Sequence, residues 1–320
     1  MPVNKKYFHL AYARSPTEFN IKNQLVALGW RPTIWPWRAH FASHHLQFNP
    51  QVAETLEFKH LLARFMKDKC PQWFLPTFCL DDENWPSVLT EVEQNLEAKV
   101  WILKPALLNN GQHIRLFDSL SAIDIYLQNT QRLGGEYVLQ PYLADPHLLS
   151  DNRKYSIRMF LVLSSYCGCF LYPQGYFNVA HHPYQKNNLL DLRSHLTNEH
   201  LSSDQINVTQ IPSEKFLHFS AIYPSIRQIT QDLVIALATS FPQAFNPSER
   251  KLAFFGLDFM LDASGKVWFL EANHGPCFPM ERHHPLQAHL YQKFWQEVVH
   301  CFIHPLISAE RSETIFDKLC

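Results

Sequence analysis

The stretch FFGLDFMLDASGKVWFLEANHGP, Phe254–Pro276, decides the reading. It holds two short apolar strands, each with a carboxylate in its middle: Asp258 lies between Leu257 and Phe259, and Glu271 between Leu270 and Ala272. An unpaired buried carboxylate is costly and survives with a partner or a metal. Side chains alternate along a strand, so Glu271 and Asn273 share a face. The DASGK segment supplies the turn, with Ser264-Gly265 suited to a two-residue hairpin loop. That loop pairs Ala263 with Lys266, and counting back sets Asp258 opposite Glu271 and Gly256 opposite Asn273. Directly opposed residues have Cβ atoms about 4.5–5.5 Å apart, close enough for like charges to repel. A divalent cation between them reverses that effect. Two carboxylates and an amide oxygen are hard ligands of the kind magnesium uses, with nucleotide phosphates completing its shell. The alternatives at this point are a proton-shared acid pair, or a different turn that sets the acids on opposite faces.

A metal of this sort needs phosphates, and the chain supplies cations. VWILKP is apolar except for Lys104, which calls for an anionic partner. RKYSIRMFLVL puts Lys154, Ser156 and Arg158 on one face and Tyr155, Ile157 and Met159 on the other. That stripe either lines a phosphate cleft or marks an edge strand with a solvated face. KPALLNNGQHI, after Lys104, suits a loop covering phosphates with backbone N–H groups, although it has one glycine.

Around these segments the composition is that of a globular protein: 320 residues, 46% hydrophobic and 18% charged, with 28 Lys plus Arg against 29 Asp plus Glu. A net charge of −1 provides no broad footprint for nucleic acid and no strong basic stripe for an acidic polypeptide tail. No apolar run approaches the ~18 residues a membrane span needs, and the N-terminus lacks a secretory pattern. Seven scattered cysteines read as reduced thiols in a cytoplasmic protein. Histidine pairs at 44–45, 181–182 and 283–284 lack company at zinc spacing and read as loop residues. KYFHLAY reads as a strand, PTEFNIKNQLVALG as a helix ending at Gly29, RPTIWPW as a second extended piece, and ETLEFKHLLARFMKDK (54–69) as one amphipathic helix. A long helix is expected over about 219–241, a polar excursion over about 181–215, and a C-terminal helix in LQAHLYQKFWQEVVHCFIHPL.

Taken together these segments resemble the tubulin-tyrosine-ligase-like family of ATP-grasp carboxylate–amine ligases. VWILKPALLNNGQHI is similar to that family's strand, lysine and phosphate-covering loop, and YVLQPYLADPHLLSDNRKYSIRMFLVL to its adenine hinge and RKFDIR strand. SHLTNEH matches its HLTN element, FGLDFMLDASGKVWFLEANHGP its metal hairpin, and LEFKHLL a degraded LTRKDLL. The matches keep family order across roughly residues 45 to 295.

The resemblance implies magnesium on Asp258, Glu271 and Asn273. It implies ATP phosphates on Lys104 and Lys154, Lys59 in the nucleotide site, and adenine framed by Gln140, Tyr142 and Leu143. Thr197 and Asn198 would contact nucleotide, and Arg158 would face the reacting carboxylate, with Lys154 beside the transferring phosphoryl group. The chain also departs from the family pattern. Pro141 stands for the hinge lysine, Ser156 for the RKFDIR aspartate, His113 for a loop glycine and Phe58 for the arginine of TRKD. Asn178 stands for an arginine that serves the amino-acid substrate, unless it is merely a surface residue at a strand end. Lys186 and Arg193 are the cations nearby in sequence that could replace that charge.

The implied fold is α+β, an ATP-grasp arrangement of two lobes (76–150 and 151–320) closing on ATP behind a small βαβ-like N-terminal lobe (1–75). The implied activity adds an amino acid to a protein or peptide carboxylate through an acyl phosphate. A small-molecule ATP-grasp ligase and a catalytically silent ATP-binding module are the rival readings. DFM is not the kinase DFG element, and no HRD-type loop precedes it.

Overall fold

The computed structural model describes residues 5–11, 15–96, 98–201, 206–275, 280, 284–307 and 313–320. Residues 1–4, Cys277 and His283 lie outside them.

The chain opens with β1 (Tyr7–His9), α1 (Pro16–Ala27) and β2 (Arg31–Pro32), a βαβ unit whose strands are parallel. Strand β3 (Phe41–Ala42) adds to the other edge of β1, also parallel. Ser15 caps α1 by accepting from the Glu18 N–H, Pro16 takes the first helical position, and Gly29 at φ +80° turns the chain out.

The helix expected over 54–69 is two helices, α2 (Pro50–Glu57) and α3 (Lys59–Lys69), broken at Phe58, where ψ is 119°. Apolar spacing continues across the break, so periodicity alone reads one helix. The interruption places Lys59 on the first turn of α3, with its backbone N–H on the Ala106 carbonyl.

Next come β4 (Phe78–Leu80), α4 (Trp85–Asn95), β5 (Trp101–Pro105), β6 (Arg115–Phe117), α5 (Leu120–Gln128) and β7 (Tyr137–Pro141). The strands form an antiparallel sheet in the order β4-β7-β5-β6. Val92, Ile123 and Leu127 from the helices pack on Trp101, Leu103, Tyr137 and Leu139.

The largest sheet contains β8 (Arg153–Ser164), β9 (Gly168–Leu171), β10 (Tyr176–Pro183), β11 (Val208–Pro212), β12 (Leu252–Leu261), β13 (Val267–His274) and β14 (Asp317–Lys318). Its main path is β11-β10-β8-β12-β13. Three helices accompany it: α6 (Leu192–His195), α7 (Phe219–Ser240) and α8 (Gln292–Val298). The polar excursion at 181–215 therefore contains α6 and β11. The C-terminal helix is real but wound unevenly, with π turns at Gln287–Tyr291 and Val299–Ile303 on either side of α8.

Alternation sorts the central strands β8 and β12. Tyr155, Ile157, Met159 and Leu161 join Phe255, Leu257 and Phe259 in the core under α7, α2 and α3. On the opposite face, Phe160, Val162, Leu252 and Phe254 pack against α1 and α8. The remaining residues of that face, Lys154, Ser156, Arg158, Asp258 and Met260, line a cleft. Strand β8 lies between β10 and β12, so its polar stripe is not a solvated edge.

Candidate active site

The cleft has a volume of about 280 Å³ and is lined from both larger sheets. All thirteen residues singled out above border it: Lys59, Lys104, Gln140, Tyr142, Leu143, Lys154, Arg158, Asn178, Thr197, Asn198, Asp258, Glu271 and Asn273.

The acid pair comes together as counted, by a different route. The hairpin loop has three residues, not two: the Asp262 N–H donates to the Lys266 carbonyl, and Ala263 does not pair with Lys266. Gly265 sits at φ +86°, and the Asp262 carboxylate accepts from the N–H groups of Ser264 and Lys266. This shifts the register by one, and a bulge between Asp258 and Phe259 shifts it back. Asp258 thus faces Glu271, and Gly256 faces Asn273.

Arg158 lies opposite Asp258 on the other neighbouring strand and binds it with both prongs, Nε to Oδ1 at 2.5 Å and Nη2 to Oδ2 at 2.7 Å. The Asn273 Nδ2 lies 3.2 Å from Asp258 Oδ2 and 3.4 Å from Glu271 Oε1. Burial raises the Asp258 pKa, with Arg158 working against it. For Glu271 burial acts upward too, but Lys59, Lys104 and Arg158 outweigh it and lower the pKa. Among the described residues no group of three or more His, Cys, Asp or Glu forms a metal cage. The Asn273 nitrogen faces the acids here; with its amide turned over, its oxygen would join the two carboxylates in a hard-donor set of the kind that fits magnesium.

Facing these acids stand lysines in excess. Lys59 Nζ donates to the Leu108 carbonyl at 2.6 Å and to Asn109 Oδ1 at 3.2 Å, and lies 3.9 Å from Glu271. Burial lowers Lys104 to about 8, Glu271 opposing and Lys59 assisting. Lys154, only 2% exposed, is lowered to about 7 by burial and then by Lys104. Its Nζ donates to Tyr142 Oη at 2.7 Å and lies over the Tyr142 ring, 4.4 Å from its centroid. Two neighbouring lysines held below their ordinary range amount to a site short of negative charge.

The loop after Lys104 rises over this floor. Asn110 and His113 both take φ +56°, so His113 occupies a left-handed position without glycine's freedom. Gly111 lies against Asn198, where an added Cβ would come 3.2 Å from Oδ1. Thr197 Oγ1 donates to Ser156 Oγ at 2.8 Å. At the end of β7, Gln140 is anchored to Thr77 at 2.6 Å, and the Tyr142 N–H donates to the Val100 carbonyl.

Asn178 is not a surface residue. It is buried mid-strand on β10, opposite Ser156 and Gln210, and accepts from Gln210 Nε2 at 3.3 Å. Neither candidate replacement cation reaches it: Lys186 pairs with Asp145 and Arg193 with Asp191, and neither lines the cleft. Sequence reasoning also passed over Glu57, Glu199 and His195, which line the same cleft. His195 stands two residues before Thr197 in the SHLTNEH element, and that proximity was the available signal.

The chain is similar in sequence to several known proteins. A model of the tubulin-tyrosine ligase family matches residues 45–313. The chain is 26% identical to the probable tubulin–tyrosine ligase PBY1 of Saccharomyces cerevisiae, over 87% of this chain and 42% of that protein. It is 26% identical to the probable tubulin–tyrosine ligase C12B10.04 of Schizosaccharomyces pombe, over 71% of this chain and 64% of the relative. Tubulin glycylase 3B of Tetrahymena thermophila is 24% identical over 62% of this chain and 18% of its own length. The chain thus spans less than two thirds of each of these relatives. With the matched region running from the start of the cleft's first helices past the β12–β13 hairpin, the chain is a divergent member of the tubulin-tyrosine ligase family.

Proposed function

We propose that this protein is an ATP-dependent carboxylate–amine ligase that adds an amino acid to a protein or peptide carboxylate through an acyl phosphate. The central and C-terminal lobes (76–150 and 151–320) would close on ATP in the ATP-grasp manner, behind the N-terminal lobe (1–75), in the cytoplasm. Among the described residues no helix is long and apolar enough to cross a membrane.

The observation that carries this reading is the charge plan of the cleft. Lys104 and Lys154 lie with depressed pKa values opposite an acid pair that fits a divalent ion. A polyphosphate with its metal would supply negative charge to the lysines and a further cation to acids that Arg158 and Lys59 hold from one side. Asp258, Glu271 and Asn273 would hold magnesium, which when bound offsets charge on the phosphates. Lys59, Lys104 and Lys154 would hold the phosphate chain, and Thr197 and Asn198 would meet the nucleotide under the 106–114 loop. Gln140, Tyr142 and Leu143 would frame adenine.

The acceptor carboxylate oxygen would attack the γ-phosphorus and ADP would leave. The amine would then attack the acyl carbon, releasing phosphate and a proton. Arg158 would orient the carboxylate and Lys154 would stabilise the transferring phosphoryl, so the protein's part is positioning and charge neutralisation. A small-molecule ligase is the second reading, and the neutral Asn178–Gln210 wall favours it. The deciding experiment measures ATP turnover against a panel of amino acids, with and without cell lysate, followed by mass spectrometry of the proteins. A covalent amino-acid mass on a protein is expected. Turnover that needs no polypeptide would favour the second reading, and no turnover in any arm would overturn both.

A further inference from the structure

His195 is 1% exposed at the end of α6, in the lining of the cleft. Its ring joins two partners. Nε2 lies 3.0 Å from the Asn188 carbonyl oxygen, and Nδ1 lies 2.9 Å from Tyr142 Oη. A carbonyl only accepts, so Nε2 carries the ring proton and Nδ1 presents a lone pair. Tyr142 therefore donates its hydroxyl proton to Nδ1. With that proton committed, Tyr142 Oη meets Lys154 Nζ, 2.7 Å away, as an acceptor. The direction of three successive hydrogen bonds is thus fixed by one backbone carbonyl.

We infer that His195 is a positioning residue that, acting through Tyr142, holds Lys154 as a hydrogen-bond donor aimed into the cleft. This rests on the reading of Lys154 as a phosphate ligand. The groups facing Lys154 make such a device useful. Lys104 on β5 opposes its charge, and the rings of Tyr142 and Tyr184 lie 4.4 and 5.7 Å from its Nζ. Burial and Lys154 itself both lower the His195 pKa, which Asn188 and Asp191 oppose, so the ring stays neutral and keeps its lone pair. Among the described residues Lys154 makes no ion pair within 4.0 Å. Without the imidazole, the Tyr142 hydroxyl is free to turn and donate to Lys154, which favours the neutral amine.

The test is calorimetric binding of Mg·ATP to the full chain at pH 6 and pH 8.5. His195→Leu should weaken binding about tenfold at pH 8.5, equivalent to one unit of lysine pKa, and far less at pH 6. His195→Asn, whose amide oxygen can accept from Tyr142, should restore most of the affinity. In a Lys154→Met background His195→Leu should have no further effect. A loss equal at both pH values, or one that persists without Lys154, would overturn the inference while leaving the ligase reading intact. Absence of Mg·ATP binding to the unaltered protein would instead remove the reading on which it rests. Should His195→Leu fail to fold, Tyr142→Phe breaks the same chain of hydrogen bonds and carries the same expectations.

Discussion

Asp258 faces Glu271 across the β12–β13 hairpin because two irregularities, a three-residue loop and a bulge, cancel. Arg158 neutralises Asp258 from one side, and in the proposed ligase a divalent ion would join the two acids from the cleft. Mg·ATP should therefore raise the melting temperature by several degrees, since a ligand at about 100 times its Kd adds about 2.7 kcal/mol. Glu271→Gln should remove most of that rise. Equal thermal shifts with and without magnesium, in both proteins, would sink the metal assignment.

Lys154 ties stability to pH. Its folded pKa of about 7 lies below the ordinary 10.5, so between these values the unfolded chain holds more protons than the folded one. The ligand-free protein should thus become more stable as pH rises from 7 toward 10, and below pH 7 the cost of the buried charge is fully present. Lys154→Met should raise the melting temperature at pH 7 and flatten its rise. ATP should reverse the titration, so binding at pH 8 should take up protons, read from calorimetry in buffers of different ionisation heat. Proton release would contradict this.

In turnover, Lys154→Ala should lower kcat more than it weakens ATP binding, because charge grows on the transferring phosphoryl in the transition state. Unchanged turnover with weaker binding would assign Lys154 to ground-state binding alone.

Gly111→Ala should disturb the 106–114 loop, which in the proposed ligase covers phosphates. The new Cβ would lie 3.2 Å from Asn198 Oδ1 at a backbone φ of +70°, and a left-handed alanine costs about 1–2 kcal/mol. Nucleotide affinity should fall, and the ligand-free protein should lose no more than that cost of about 1–2 kcal/mol in global stability. Hydrogen exchange across residues 106–114 reads the difference, and an unchanged loop with unchanged affinity would exclude this loop from the site.

At Asn178, the neutral pair with Gln210 offers no charge to a substrate carboxylate, and Lys186 and Arg193 are paired elsewhere. Asn178→Arg should shift amine preference toward glutamate, in competition assays with glutamate, tyrosine and glycine. An unaltered order would locate selection elsewhere in the cleft.

Much of the cleft was legible because β-strand alternation is a local rule. Lys154, Ser156 and Arg158 share a face wherever the strand lies, and Asp258 and Glu271 announce themselves by interrupting apolar runs. The break at Phe58 was not legible, since hydrophobic spacing continues through it and only the tertiary position of Lys59 marks its use. The hairpin count reached the correct pair through a turn that the chain does not adopt, because a loop residue and a bulge residue are indistinguishable by counting. His195 stayed hidden for another reason. Its partners Tyr142 and Lys154 are fifty-three and forty-one residues away, and no periodicity links them.

In the proposed ligase the two-pronged grip of Arg158 on Asp258 would bear on how the metal enters. The guanidinium covers the two oxygens that a divalent ion would coordinate, and breaking such a buried pair without compensation costs about 3–5 kcal/mol. An ion entering alone must displace the guanidinium into a cleft already crowded with lysines. An ion entering on a phosphate chain brings fresh oxygens to receive the displaced arginine. In the proposed ligase the pair would thus favour a metal that arrives with its nucleotide over the bare ion.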